Sequence, residues 1–111
     1  MNQAAGKLRH RIRLESLQTE QDSNGDTVEE WTSQGDVWAE VVPSSAREFV
    51  ASDAMQSRVV ARITVRRRDE IQANWRILWR GQYYNIEGIL PDPVSGREYF
   101  TLPVSYHIIA P

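Results

Sequence analysis

Any chemistry in this chain has to come from two histidines, scattered serines and carboxylates, and an excess of arginine. His10 and His107 stand on segments near opposite ends of the chain. The alternation around them puts His10 on the apolar face of Leu8, Ile12 and Leu14, and His107 on the face opposite Phe100 and Leu102. They read as packed or surface histidines rather than as a shared metal site, which would need further ligands converging on both. Ser44–Ser45, Ser52, Ser57, Ser95 and Ser105 do not stand in the sharp glycine-flanked turn that exposes a nucleophilic serine. The glycines at 6, 25, 35, 81, 88 and 96 do not form a phosphate-cradling loop. Glu29–Glu30 and Asp69–Glu70 are sequence neighbours, so on a strand each pair splits between the two faces and does not make an acid–base couple. No catalytic constellation is legible, and a protein without enzymatic activity, metal or cofactor is expected.

The arginines carry more information. Of 13 basic residues only Lys7 is a lysine, and the guanidinium fork suits bidentate pairing with carboxylate or phosphate. Charge is also segregated. Residues 15–40 hold Glu15, Glu20, Asp22, Asp26, Glu29, Glu30, Asp36 and Glu40 without a basic residue, whereas residues 58–68 hold Arg58, Arg62, Arg66, Arg67 and Arg68 without an acid. Opposite regions of this kind suit head-to-tail self-association or an acidic partner; the alternative is a pair of solvated faces that keep a monomer soluble.

These side chains need elements to position them. The 111 residues, 41% hydrophobic and 25% charged, suit a single domain over 1–111 with a small core. No apolar run reaches the roughly 18 residues that span a bilayer, and the N-terminal stretch lacks the apolar middle of a signal peptide, so synthesis in the cytosol and no membrane partner are expected. There is no cysteine, which removes disulfides and thiolate metal sites.

Period-2 alternation dominates. KLRHRIRLESL at 7–17 sets Leu8, His10, Ile12 and Leu14 against Arg9, Arg11, Arg13 and Glu15. Asn24-Gly25 then reverses the chain, and the stretch reads as a hairpin with a long acidic loop leading to a short second run. DVWAEVV at 36–42 is a third strand, stopped by Pro43. RVVARITVRRR turns Val59, Ala61, Ile63 and Val65 inward and Val60, Arg62, Thr64 and Arg66 outward. RILWR at 76–80 and QYYNIEGIL at 82–90 flank Gly81 as a second hairpin. The last strand places Phe100, Leu102, Val104, Tyr106 and Ile108 on one face, with Pro103 marking it as an edge or a bulge.

One interruption breaks the pattern. Ser45-Ala46-Arg47-Glu48 fits a capping box, so a short helix over about 45–57 is expected, with Ala46, Phe49, Val50 and Ala54 along one side. The fold class is therefore mainly β: a small antiparallel β-barrel or sandwich of six or seven strands with one inserted helix. RRRDEIQANWRILWRGQYY permits another reading, because arginines interleaved with Trp75, Trp79, Tyr83 and Tyr84 suit a small barrel that binds single-stranded nucleic acid.

Taken in order, LRHRIRLES, the NGD turn followed by Trp31, VWAEVVPSSAREF, ARITVRRR, RILWRGQYYNIEGILPD and REYFTLPV form a series. It resembles the head-tail joining family of long-tailed bacteriophages, also called head-closure or stopper proteins, from about residue 7 to 104. The most specific parts are Val37-Trp38-Ala39 through Arg47-Glu48 and Tyr84 through Pro91. The resemblance implies a virion protein, made in the host cytoplasm, that assembles as a homo-oligomeric ring beneath the portal and adaptor. Such a ring would retain packaged double-stranded DNA and receive the tail-completion or tail proteins. It also implies that the segment after the third strand projects toward the ring axis, so that Ser45, Arg47, Glu48, Phe49, Asp53, Gln56 and Arg58 are channel-facing candidates. Arg62, Arg66 and Arg68 are candidates for pairing with Glu29 and Glu30 of a neighbouring subunit. Ala46 departs from the glycine common in that family, and the ending VSYHIIAP lacks the usual polar residues.

A channel-facing helix of about a dozen residues is marginal without its ring neighbours. Limited trypsin digestion of the isolated chain is then expected to cut first after Arg47 or Arg58, as read by mass spectrometry. First cleavage after Arg97 would instead fit a helix docked as a cap over one end of the strands.

Overall fold

The Asp22 carboxylate organises the first reversal. Its Oδ1 accepts from the backbone N–H groups of Asn24 and Asp26, both at 2.9 Å, while Gly25 takes the positive φ of 83° that the turn needs. The computed structural model describes residues 7–44, 58–92, 94 and 96–108. The expected helix over about 45–57 lies outside the described residues, apart from the serine at 44 and the arginine at 58 that flank it.

The ladder runs right up to this turn. Strand β1 (His10–Gln21) pairs with β2 (Thr27–Pro43) from His10↔Ala39 to Gln21↔Thr27. The expected long loop is thus five residues, and the two runs read as separate second and third strands are one 17-residue strand. What looked like a break, Ser33 to Asp36, is a bulge. Two steps on β1, Arg13 to Glu15, face three on β2, Asp36 to Ser33, and Gly35 absorbs the extra residue at φ 101°. Period-2 reading fails across a bulge because the extra residue resets the alternation.

Five further strands complete the sheet: β3 (Ala61–Arg66), β4 (Arg76–Trp79), β5 (Gln82–Ile86), β6 (Leu90–Pro91) and β7 (Tyr99–Tyr106). All pairings are antiparallel. The order β3-β2-β1-β4-β5-β7 returns to its start through β3–β7 pairing, so six strands form a closed circuit with β6 added alongside β7. Closure removes edges that would otherwise template aggregation. The mainly antiparallel β class and the count of seven agree with the sequence.

Every strand of the circuit sends side chains to one core: Ile12 and Leu14, Ala39, Ile63 and Val65, Ile77, Tyr84 and Ile86, Leu102 and Val104. The facing read for β3 is correct, with Ala61, Ile63 and Val65 buried and Arg62 and Arg66 exposed. The last strand departs from expectation at both ends. Tyr106 and Ile108 are exposed, whereas Tyr99 and Ser105 are buried on the other face. The expected strand over 82–90 is split into β5 and β6 around residues 87–89.

That split explains Pro103. Instead of marking an edge, Pro103 lies in a strand paired on both sides. Its carbonyl accepts from Glu87 N–H at 2.7 Å. A strand residue's N–H and C=O leave on the same side, so the missing donor faces the interval where β5 has ended and β6 has not begun.

Ile63 sits at 0% exposure on the central inward face. Ile63→Asp would bury an unpaired charge at several kcal/mol against a total stability of about 5–15 kcal/mol, so loss of cooperative unfolding in urea is expected. Arg62→Asp, on the exposed face of the same strand, is expected to fold; equal unfolding curves for the two variants would overturn the facing of β3.

Candidate functional site

β1 is hydrogen-bonded to β4 only through Arg13, Leu14 and Glu15, and β2 to β3 only from Ala39 onward. Residues 16–35 therefore belong to a two-stranded arm that leaves the closed sheet. Its root holds the most buried charges among the described residues. Glu15 and Arg76 are directly opposite across β1 and β4, on the face away from Leu14 and Ile77. Arg76 Nε donates to Glu15 Oε1 at 2.7 Å, with both side chains about nine-tenths buried. The guanidinium lies over Trp31 from the arm, 4.3 Å to the ring centroid, and over Tyr83 from β5, 3.8 Å. His107 meets both rings edge-on and is hydrogen-bonded to Asn85.

Glu15 was correctly read as facing away from the apolar residues, but it is not solvated: rings from distant segments cover that face. Ser16, also at the root, accepts from Gln34 Nε2 at 2.9 Å and so ties the two arm strands together at the bulge.

Beyond the root the arm is exposed and acidic. It carries Glu20, Asp22, Asp26, Glu29 and Glu30, and all of them are exposed. The register sets Glu20 opposite Val28 and Gln18 opposite Glu30 on one face, and Thr19 opposite Glu29 on the other. Both faces thus bear carboxylates. Against this stands the outer face of β1, β2 and β3, where Arg11, Arg13, Arg62 and Arg66 are exposed. Trp38 and Val42 lie between them at 51% and 50% exposure, and the Arg11 guanidinium covers the Trp38 ring at 5.0 Å.

The candidate interface residues are therefore at the surface, except Arg68. Arg68 donates to Glu70 at 2.6 Å and to the Gln34 carbonyl at 3.2 Å, and is committed within the chain. Arg66 lies over Tyr99 at 5.8 Å and stays exposed. Of the channel candidates, Ser45, Arg47, Glu48, Phe49, Asp53 and Gln56 lie outside the described residues, and Arg58 is exposed. Arg76, Trp31 and Trp38 were missed as partners. For Trp38 a signal exists, since it shares parity with Glu40, the one charge in VWAEVV. For Arg76 none does, because its partners are 61 residues upstream and on β2 and β5.

The aromatic residues that would serve single-stranded nucleic acid are used internally. Trp75 and Tyr84 are buried at 7% and 8% exposure, Trp79 packs on the core, and Tyr83 is covered by Arg76. Burial, then neighbouring Tyr106, raises the Tyr84 phenol above its ordinary 10.0, so its neutral form supports the fold below that pH and the support fades as pH climbs through the raised value. His10 rests on Trp79 and His107 on Trp31 and Tyr83, which keeps the two histidines apart. Among the described residues no group of three histidine or carboxylate side chains converges as a metal site.

Removing one partner of a buried ion pair strands the other. Arg76→Met is expected to lower stability by about 3–5 kcal/mol in urea denaturation, and adding Glu15→Leu is expected to restore most of it. A single-variant loss below about 1 kcal/mol, the range of exposed pairs, would show that the root is solvated.

Comparison with known proteins gives this geometry a context. Residues 4–105 match the family described as phage head completion protein. The chain is 33% identical over 88 residues to head completion protein gp7 of Enterobacteria phage HK97, covering 75% of this chain and 79% of that protein. The solution structure of protein SF1141 from Shigella flexneri 2a superposes with a TM-score of 0.73 at 31% identity, covering 93% of this chain and 96% of that one. A chain in the virion of a native gene transfer agent particle shares the fold with a TM-score of 0.66 at 21% identity, covering 93% and 97%. By these matches the chain belongs to the phage head completion proteins, structural proteins of the virion and not enzymes.

Proposed function

We propose that this chain, as a single connector domain, closes the DNA-filled head as a ring of copies seated beneath the portal or adaptor and offers the surface to which the tail attaches. The observation that carries this reading is the acidic arm standing clear of a closed, rigid sheet whose outer face is rich in arginine. A chain with one projecting acidic element and one basic face is suited to contact copies of itself and neighbouring head and tail proteins. In the ring, Glu29 and Glu30 of one copy pair with Arg62 and Arg66 of the next, and Arg68 contributes through its hold on the arm at Gln34. The segment following β2, with Ser45, Arg47, Glu48, Phe49, Asp53, Gln56 and Arg58, is directed at the packaged double-stranded DNA.

Exposed arginine–carboxylate pairs contribute about 0–1 kcal/mol each, so the free chain is monomeric or weakly associated and the ring forms on its docking site. Single-stranded nucleic-acid binding is disfavoured by the internal use of Trp75, Tyr83 and Tyr84.

The test uses DNA-filled heads from the phage or prophage that encodes this chain, prepared without it. Adding the purified chain is expected to produce a ring at the portal vertex by electron microscopy and to restore tail joining and DNA retention. Heads that leak DNA and stay tailless despite added chain, or tight salt-sensitive binding to short single-stranded oligonucleotides, would overturn the proposal.

A further inference from the structure

The row formed by Arg11, Trp38 and Val42, flanked by Arg13, Arg62 and Arg66, is a docking face, and we infer that its occupant is the acidic arm of a second copy of this chain. The inference rests on the head-completion reading and names the anchor residues of its self-contact. Tryptophan and arginine are among the residue types enriched at interface hot spots, and at 51% exposure Trp38 has no role in the core. The register sets Arg11 across from Trp38 and Val42 across from Arg62, so apolar and guanidinium groups alternate over three strands. Among the described residues, Asp36, bound to Arg13 at 3.4 Å, and half-buried Glu40 are the acids on this face, fewer than its arginines. The arm brings five carboxylates, exposed Val28 and no basic residue.

Charge complementarity chooses the arm as occupant, and the topology excludes the chain's own arm. The arm and the β1–β2 part of the face, with Arg11, Arg13, Trp38 and Val42, belong to the same hairpin. From Trp38 to Glu29 along β2 is nine residues, about 30 Å at roughly 3.4 Å each, beyond the screening length of about 8 Å at physiological salt. A chain therefore cannot satisfy itself. The contact is heterologous, arm of one copy on face of the next, the type that propagates until rotation closes it into a ring. Acid on both faces of the arm keeps the attraction whichever face is presented.

Two variants separate the surfaces. Glu20→Gln, Glu29→Gln and Glu30→Gln together neutralise the arm but keep the face, and Arg11→Gln with Arg66→Gln neutralise the face but keep the arm. Circular dichroism is expected to show that both fold. In sedimentation velocity at low salt and high protein concentration, the wild-type chain is expected to self-associate and to dissociate as salt nears 1 M, where screening shortens to about 3 Å. Each variant alone is expected to be monomeric, and their mixture to form a 1:1 complex and nothing larger, since one working arm meets one working face. Trp38→Ala is expected to weaken wild-type association about tenfold or more. A wild-type chain that stays monomeric throughout, a mixture that stays monomeric or grows beyond 1:1, or a Trp38→Ala chain that associates like wild type would each overturn the assignment. Head closure by the added chain is read separately, so these outcomes leave the head-completion reading to its own test.

Discussion

The Arg76 guanidinium, held by Glu15 and pressed between Trp31 and Tyr83, is the joint on which the rest of the molecule depends. It joins three separate parts: the first strand, the arm and the β4–β5 hairpin. An ion pair taken out of water loses several kcal/mol of solvation per ion, and it is tolerated only where geometry and further contacts compensate. Here the compensation comes from two ring faces, which attract a cation without themselves needing hydrogen bonds. A lysine would not serve as well, since the planar fork both pairs with the carboxylate and stacks. Without this joint the arm would be a bare two-stranded ribbon, an arrangement only marginally stable in water.

Strand edges are handled by different means in the two parts of the molecule. In the body they vanish, because β3 and β7 pair and close the circuit. Pro103, in the middle of a strand of that circuit, is placed where no donor is needed. In the arm the edges remain, and they are guarded by charge. Arg68 caps the Gln34 carbonyl beside the bulge, and beyond it the carboxylates repel another arm of the same kind. Like charges directed against the wrong partner leave only a basic surface as a suitable one.

Much of the body was legible in the residues. ARITVR alternates without interruption, and β3 has the facing it predicts. Gly81 marks the β4–β5 reversal, and it takes the positive φ of 77° found there. Local rules succeed here because a two-residue side-chain period and a short turn are set by sterics within a few residues. They failed where one residue shifts the count. The bulge at Gly35 split one strand into two in the reading and turned a tight reversal into a long loop. For the site, the acidic and arginine-rich stretches are visible in the charge pattern, and of the interface candidates given with the family resemblance Glu29, Glu30, Arg62 and Arg66 are exposed while Arg68 is held within the chain.

By itself the sequence determined the β class, the inward facing of β3, the segregation of charge and the family, since each depends on residue type and near neighbours. Tertiary structure alone decided three things. β7 lies between β3 and β5 although Pro103 argued for an edge, because the fitness of a proline depends on what lies opposite its nitrogen. Glu15 is buried although its face is polar, because burial depends on rings contributed by β2 and β5. The exposed acids at the tip of the arm and the arginines of the outer face are held too far apart to neutralise each other, because a paired strand is stiff and keeps its ends about 3.4 Å per residue apart.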